Sequence, residues 1–131
     1  MKKYNLKPMA RIVSSVVVGV ELHIMGIGSV YASYKALEKA NLSLEDMDII
    51  ELNEAFSAQS LACIHEWGLN DNDPRINVNV GAIALGHPLG VSGMRIIHST
   101  ALELHKQHKK YALATMCIGV GQGYAIVLER M

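Results

Sequence analysis

The sequence predicts a single α/β domain built on a five-stranded mixed sheet, with helices on both faces and the last strand antiparallel. Three observations predict it. Five short runs rich in β-branched and other apolar residues are separated by glycine, asparagine or proline. Three longer stretches between the first four runs repeat apolar residues at helical spacing. The last two runs are joined by a turn too short for a crossover. The order is therefore β-α-β-α-β-α-β-β, and alternation of this kind implies right-handed crossovers and a mostly parallel sheet.

The first strand is expected over Arg11 to Val20 (RIVSSVVVGV), apolar enough to be buried on both faces. A glycine-bearing loop, Met25-Gly26-Ile27-Gly28-Ser29, leads into a helix over Val30 to Lys39, with Val30, Tyr34 and Leu37 on one side and Asn41 ending it. Ser43-Leu44-Glu45-Asp46 has the spacing of a capping box opening a brief turn. Asp48 to Leu52 is a short second strand. Asn53 to Trp67 reads as a largely buried helix, with Asn53 as a possible N-cap and apolar stripes of Phe56, Cys63, Trp67 and of Leu61, Ile64. Gly68 stops that helix, a polar loop follows to Pro74, and Ile76 to Val80 is a third strand. Val91 to His108 is a third helix whose core side carries Met94, Ile97, Ala101 and Leu104. Tyr111 to Cys117 and Tyr124 to Glu129 close the sheet.

At 131 residues, half of them hydrophobic, the chain has room for one ordinary core, and one domain is expected over 1–131. Twelve basic residues balance twelve acidic ones, which leaves no net field to draw in nucleic acid or an anionic membrane. Lys106, Lys109 and Lys110 fall where a helix's last turn would complement its dipole. No uninterrupted apolar region follows Met1-Lys2-Lys3-Tyr4-Asn5, and no apolar stretch is long enough to cross a bilayer. A cytoplasmic protein with Cys63 and Cys117 as free thiols is expected, and the scattered histidines without C-x-x-C argue against a metal.

Three glycine-studded segments carry the chemistry: Asn53-Glu54-Ala55-Phe56, Gly81 to Arg95 (GAIALGHPLGVSGMR) and Cys117 to Gly123 (CIGVGQG). Each sets one reactive side chain, Asn53, His87 or Cys117, at the end of an apolar run, where open α/β sheets place their sites. Familiar glycine motifs do not account for them. Gly119-x-Gly121-x-Gly123 runs on into strand residues rather than a helix, and Gly81-x4-Gly86-His87 lacks the lysine and hydroxyl of a phosphate loop. Gly90-Val91-Ser92-Gly93 meets Met94 where a nucleophile elbow needs glycine. An imidazole and a thiol remain, a pair suited to moving protons and activating a nucleophile.

With these three segments in this order, the chain resembles the carboxy-terminal half of the thiolases, the acetyl-CoA acetyltransferase and 3-ketoacyl-CoA thiolase family. The likeness runs from Lys7-Pro8-Met9-Ala10-Arg11-Ile12-Val13 to Glu129-Arg130. It implies a thiolase-like half and acyl transfer between coenzyme A thioesters, either 3-ketoacyl-CoA thiolysis or the reverse Claisen condensation. CoA and acyl-CoA would be substrates, with no separate cofactor. By resemblance, His87 would activate the nucleophile and Cys117 would exchange a proton with the α-carbon. Asn53 would hold a water that forms one oxyanion hole with His87, the Gly119 N–H would serve a second, and Met25 would line the pantetheine tunnel.

The family's nucleophilic cysteine lies in its amino-terminal half, so this chain would carry half a site, inactive alone, and would need that half as partner. An apolar face left open would make it a homo-oligomer. The alternative is a non-catalytic remnant that serves as an oligomerisation or interaction module. Val80 stands where the family usually has the first of two glycines, and a positive φ there would strain it. Val120 and the run Asp73-Pro74-Arg75-Ile76-Asn77 are similar to those of 3-oxoadipyl-CoA thiolases.

Overall fold

The final two apolar runs form a tight hairpin, β3 (Tyr111–Ile118) and β4 (Gln122–Arg130), on which the rest of the sheet assembles. In the computed structural model, which describes residues 2–131, β1 (Ala10–Gly19) adds antiparallel to β4 and β2 (Ile49–Leu52) adds parallel to β3. Met1, where the expected domain opens, lies outside the described residues. The strand order is β1-β4-β3-β2. As expected, the last strand alone runs against the others. It is inserted between β1 and β3, however, so two of the three pairings are antiparallel and the sheet is not mostly parallel.

The sheet has four strands, not five. The segment expected as the third strand, 76–80, makes a single parallel bridge, Ile76 with Ile50, and then leaves the sheet. Asn77 has φ of +47° and Val80 of +62°, conformations that no strand accommodates. The Asn77 side chain takes over the pairing instead. Its Oδ1 accepts the Leu52 N–H at 2.8 Å and its Nδ2 donates to the Leu52 carbonyl at 2.9 Å.

Helix α1 (Gly28–Ala40) and helix α2 (Ser57–Glu66) pack on one face of the sheet; a short turn α3 (Ala82–Leu85) precedes α4 (Ser92–Lys106), which covers the other. On the first face Val30, Ala36 and Leu37 meet Cys63, Trp67, Leu113 and Val127. On the second, Ile96 and Leu104 lie against Ile49, Ala114 and Ile126. The start of α1 presses on β4 so closely that a Cβ at Gly123 would stand 1.9 Å from the Gly28 carbonyl oxygen. The Ser43–Asp46 capping box is present: the Asp46 carboxylate accepts both the Ser43 N–H and its hydroxyl, which hold its pKa below the usual value.

Two helical expectations need correcting. The helix expected from Asn53 begins at Ser57 with Phe56 at its N-cap, so Asn53 caps nothing. On α4, Met94 is 69% exposed, because Ile96, Thr100, Ala101 and Leu104 form the stripe that faces the sheet.

Valine at a left-handed position costs about 1–2 kcal/mol, against roughly 0.5–1 kcal/mol for the freedom a glycine loses on folding. Val80 is exposed and anchors no core. Val80→Gly should therefore stabilise the fold slightly, by about 0.5–1 kcal/mol in a urea titration. A clear loss of stability would contradict the strained conformation.

Candidate functional site

One hydrogen-bonded register brings two of the three reactive segments together. The parallel pairing of β2 with β3 sets Leu52 opposite Thr115, and the Asn53 N–H then donates to the Thr115 carbonyl at 2.9 Å. Asn53 thus leaves β2 beside the end of β3, two residues before Cys117. The third segment comes back over these ends as a turn between α3 and α4. Gly86 (φ +88°) and Gly90 (φ +73°) bracket His87 in that turn, both in backbone regions that favour glycine.

The Asn53 carboxamide Nδ2 lies 3.3 Å from His87 Nε2, and on the other side of the ring His87 Nδ1 lies 2.6 Å from Ser92 Oγ. The Ser92 hydroxyl in turn donates to the Pro88 carbonyl at 3.1 Å. Asn53 is almost wholly buried, and its Oδ1 has no hydrogen-bond partner. Beside this pair opens a cleft of about 630 Å³ whose walls include Met25, Phe56, His87, Met116, Cys117 and Gly119. All five residues singled out in the sequence therefore meet at one place, Asn53 just behind the wall and the other four on it. Apart from its own chain neighbours, no protein atom lies within 4 Å of where a Cβ on Gly119 would stand.

Three residues that position the site were not singled out from sequence. Glu54 locks the α3 turn, accepting from Asn77 Nδ2 and from the Ile83 N–H, both at 2.9 Å. Its carboxyl group occupies the space above Gly81, where a Cβ would stand 2.2 Å away. Arg95 Nη1 donates to the Gly86 carbonyl at 2.6 Å and pins the turn that carries His87. Ser92 holds the His87 ring. Their signal was their place inside the same motifs, Glu54 beside Asn53 and both Ser92 and Arg95 within GVSGMR, but a polar residue in a motif does not reveal its partner.

Both thiols are buried and free. Burial raises the Cys117 pKa, against a smaller opposing effect of a backbone hydrogen bond, so it favours the protonated form. Cys63 is pushed up to about 11 by burial; it accepts from Gln59 Nε2 at 3.3 Å and donates to the Gly26 carbonyl at 3.6 Å, beneath the loop that carries Met25. Among the described residues no group of three or more histidine, cysteine or acidic side chains is placed to hold a metal ion. Among the same residues no helix is long and apolar enough to cross a membrane.

The family model for the C-terminal domain of thiolase matches residues 6–130. The chain belongs to the thiolase family, as its C-terminal domain. It is 56% identical over 127 residues to the 3-oxoadipyl-CoA/3-oxo-5,6-dehydrosuberyl-CoA thiolase of Escherichia coli K12, a match that covers 97% of this chain and 32% of that protein. It is 54% identical over 131 residues to the 3-ketoacyl-CoA thiolase of Serratia proteamaculans, covering 99% and 34% respectively. Human mitochondrial 3-ketoacyl-CoA thiolase, whose structure is also known in complex with CoA, superposes with a TM-score of 0.94 at 50% identity, over 99% of this chain and 32% of that one. This thiolase domain thus spans about a third of the length of the relatives it matches.

Glu51 lies two residues before Asn53 on β2, buried against α4. Burial is the main cause that raises its pKa from 4.5 to about 7; Arg95 opposes the rise, and Glu54 and Glu103 add to it. Because the folded state holds this proton more tightly than the unfolded chain, the stabilisation is complete below pH 4.5 and is lost as pH rises to about 7. The swing is on the order of 3 kcal/mol. Glu51→Gln should flatten this dependence and raise the melting temperature at about pH 8. An unchanged pH profile of stability in that variant would contradict the burial of a protonated carboxyl.

Proposed function

We propose that this domain supplies the acid–base and oxyanion-binding half of a thiolase active site, acting on coenzyme A thioesters together with an amino-terminal half that carries the nucleophilic cysteine. The observation that carries the reading is the Asn53–His87 contact on the wall of a cleft that Cys117 and Gly119 also line. Each residue's chemistry supports its role. His87 Nε2 takes the proton of the incoming nucleophilic thiol. That thiolate attacks the 3-keto carbon, the C2–C3 bond breaks, and its electron pair passes to C2 as an enolate. Cys117, kept as a thiol by burial, delivers its proton to C2. In condensation the same proton moves the other way.

The enolate oxygen needs preorganised donors, and one donor contributes about 3 kcal/mol. Protonated His87 is one. A water bound by Asn53 is the other, and the unpartnered Asn53 Oδ1 is the acceptor such a water would satisfy. The open space at Gly119 leaves its N–H accessible to the oxygen of the tetrahedral intermediate, and a side chain there would enter the cleft rather than meet protein.

The rim of the cleft supports a partner. Leu89 is 100% exposed, and Phe56 and Met94, which line the cleft with it, are exposed too, as are Ile83, Leu85 and Val91 nearby in the sequence. An apolar rim of this kind is a face made to be covered. The two thirds of the related thiolases that this chain does not span are the natural cover, and association of the domain with itself is what remains without it.

The chain alone should not cleave acetoacetyl-CoA. Mixed with the amino-terminal two thirds of the Escherichia coli relative it should do so, and His87→Ala in the mixture should lower the rate by about 10²- to 10⁴-fold. Turnover by the isolated chain, or full activity of the variant, would contradict the two-half account. By light scattering the isolated chain should exceed monomer mass; a monomer at high concentration would remove self-association from it.

A further inference from the structure

The His87 ring is held from both sides, and the two contacts are not equivalent. The Ser92 hydroxyl has one proton, which it gives to the Pro88 carbonyl, one turn back at the start of α4. Its oxygen can then only accept from His87 Nδ1, at 2.6 Å. A neutral imidazole carries one N–H, so with that proton on Nδ1 the Nε2 atom is left with its lone pair. The contact on that side agrees: Asn53 Nδ2 is a donor, 3.3 Å from Nε2. Ser92 is buried, so water does not compete for the bond.

We infer that Ser92 is a positioning residue that fixes His87 in the Nδ1–H tautomer and so makes Nε2, on the Asn53 side, the only nitrogen that exchanges a proton. The Nδ1 side is a dead end for proton transfer, because the chain of hydrogen bonds terminates at a carbonyl oxygen with nothing to pass on. The same arrangement fixes the orientation of Asn53. With Nε2 unprotonated its NH₂ group faces the ring, which turns Oδ1 away from the ring and leaves it open to the water of the proposed oxyanion hole. The importance of this tautomer for turnover rests on His87 being the base of the proposed thiolase reaction, whereas the tautomer itself does not.

Two measurements separate these levels. Long-range ¹H–¹⁵N correlation on the uniformly labelled chain, recorded on the neutral ring at alkaline pH, reads the tautomer of His87 directly. Nδ1 should carry the proton in the wild-type chain and in Ser92→Thr. Ser92→Ala should lose that preference, with Nε2–H becoming the major form. A wild-type ring protonated on Nε2, or a Ser92→Ala ring unchanged from wild type, would overturn the inference. If Ser92→Ala does not fold, the wild-type and Ser92→Thr spectra decide it.

In the chain mixed with an amino-terminal half, Ser92→Ala should lower kcat for thiolysis about tenfold with little change in KM, and Ser92→Thr should restore it. An active mixture in which Ser92→Ala alters the tautomer but leaves kcat unchanged would overturn the positioning role. A wild-type mixture without activity, beside the expected tautomer, would count against the thiolase reading alone.

Discussion

The site depends on a single parallel pairing. β2 is four residues long, yet its register on β3 decides where Asn53 emerges relative to Cys117. Side chains alternate between the faces of a strand, so a slip of one residue would turn the Asn53 carboxamide away from His87 altogether. The register is fixed from both edges. β3 holds one side of β2, and on the other side the Arg75 carbonyl and the Asn77 N–H complete the hydrogen bonding of Ile50, and the Asn77 side chain that of Leu52. The segment that failed to become a fifth strand thus does a strand's work with one bridge and one carboxamide, and then turns away to begin the loop that delivers His87.

Around that register the polar groups form a connected scaffold. Glu54 ties Asn77 to the start of α3, Arg95 ties α4 to Gly86, and Ser92 ties α4 to the ring. The first tie joins the residue after Asn53 to the start of α3 and the other two join the turn that carries the imidazole to α4, so the groups of the site inherit their positions from rigid elements. The cleft walls are otherwise mostly apolar, with Met25, Phe56 and Met116 prominent. A site of this composition can strengthen the interactions of a developing oxyanion once water is excluded. Exclusion requires the exposed rim to be covered.

Much of this was legible in the sequence. The class of fold, the closing hairpin and the antiparallel last strand followed from apolar periodicity and from a turn too short to cross over. Asn53, His87, Cys117, Gly119 and Met25 were picked out by motif, and they lie on or just behind the walls of one cleft. The misses have physical causes. Ile76 to Val80 looks like a strand because its alternation is that of a strand, while the left-handed backbone at Asn77 and Val80 leaves no mark in a hydrophobicity pattern. Asn53 looked like an N-cap because asparagine before an apolar run usually is one. Here the chain spends Ala55 and Phe56 on a loop that frees the carboxamide for His87. Met94 reads as core on helical spacing but is exposed on the wall of the cleft. Ser92 could not be assigned, since its role is a hydrogen-bond direction, and that exists only in three dimensions.

Three distant segments converge at the cleft, and the contact between the Asn53 carboxamide and the His87 ring is the narrowest point of that convergence. A nuclear Overhauser measurement on the labelled chain tests it directly. The side-chain amide protons of Asn53 should show strong cross-peaks to the ring protons of His87. A His87 ring that instead shows cross-peaks only to its own turn, with the Asn53 amide in contact with other residues, would contradict the site.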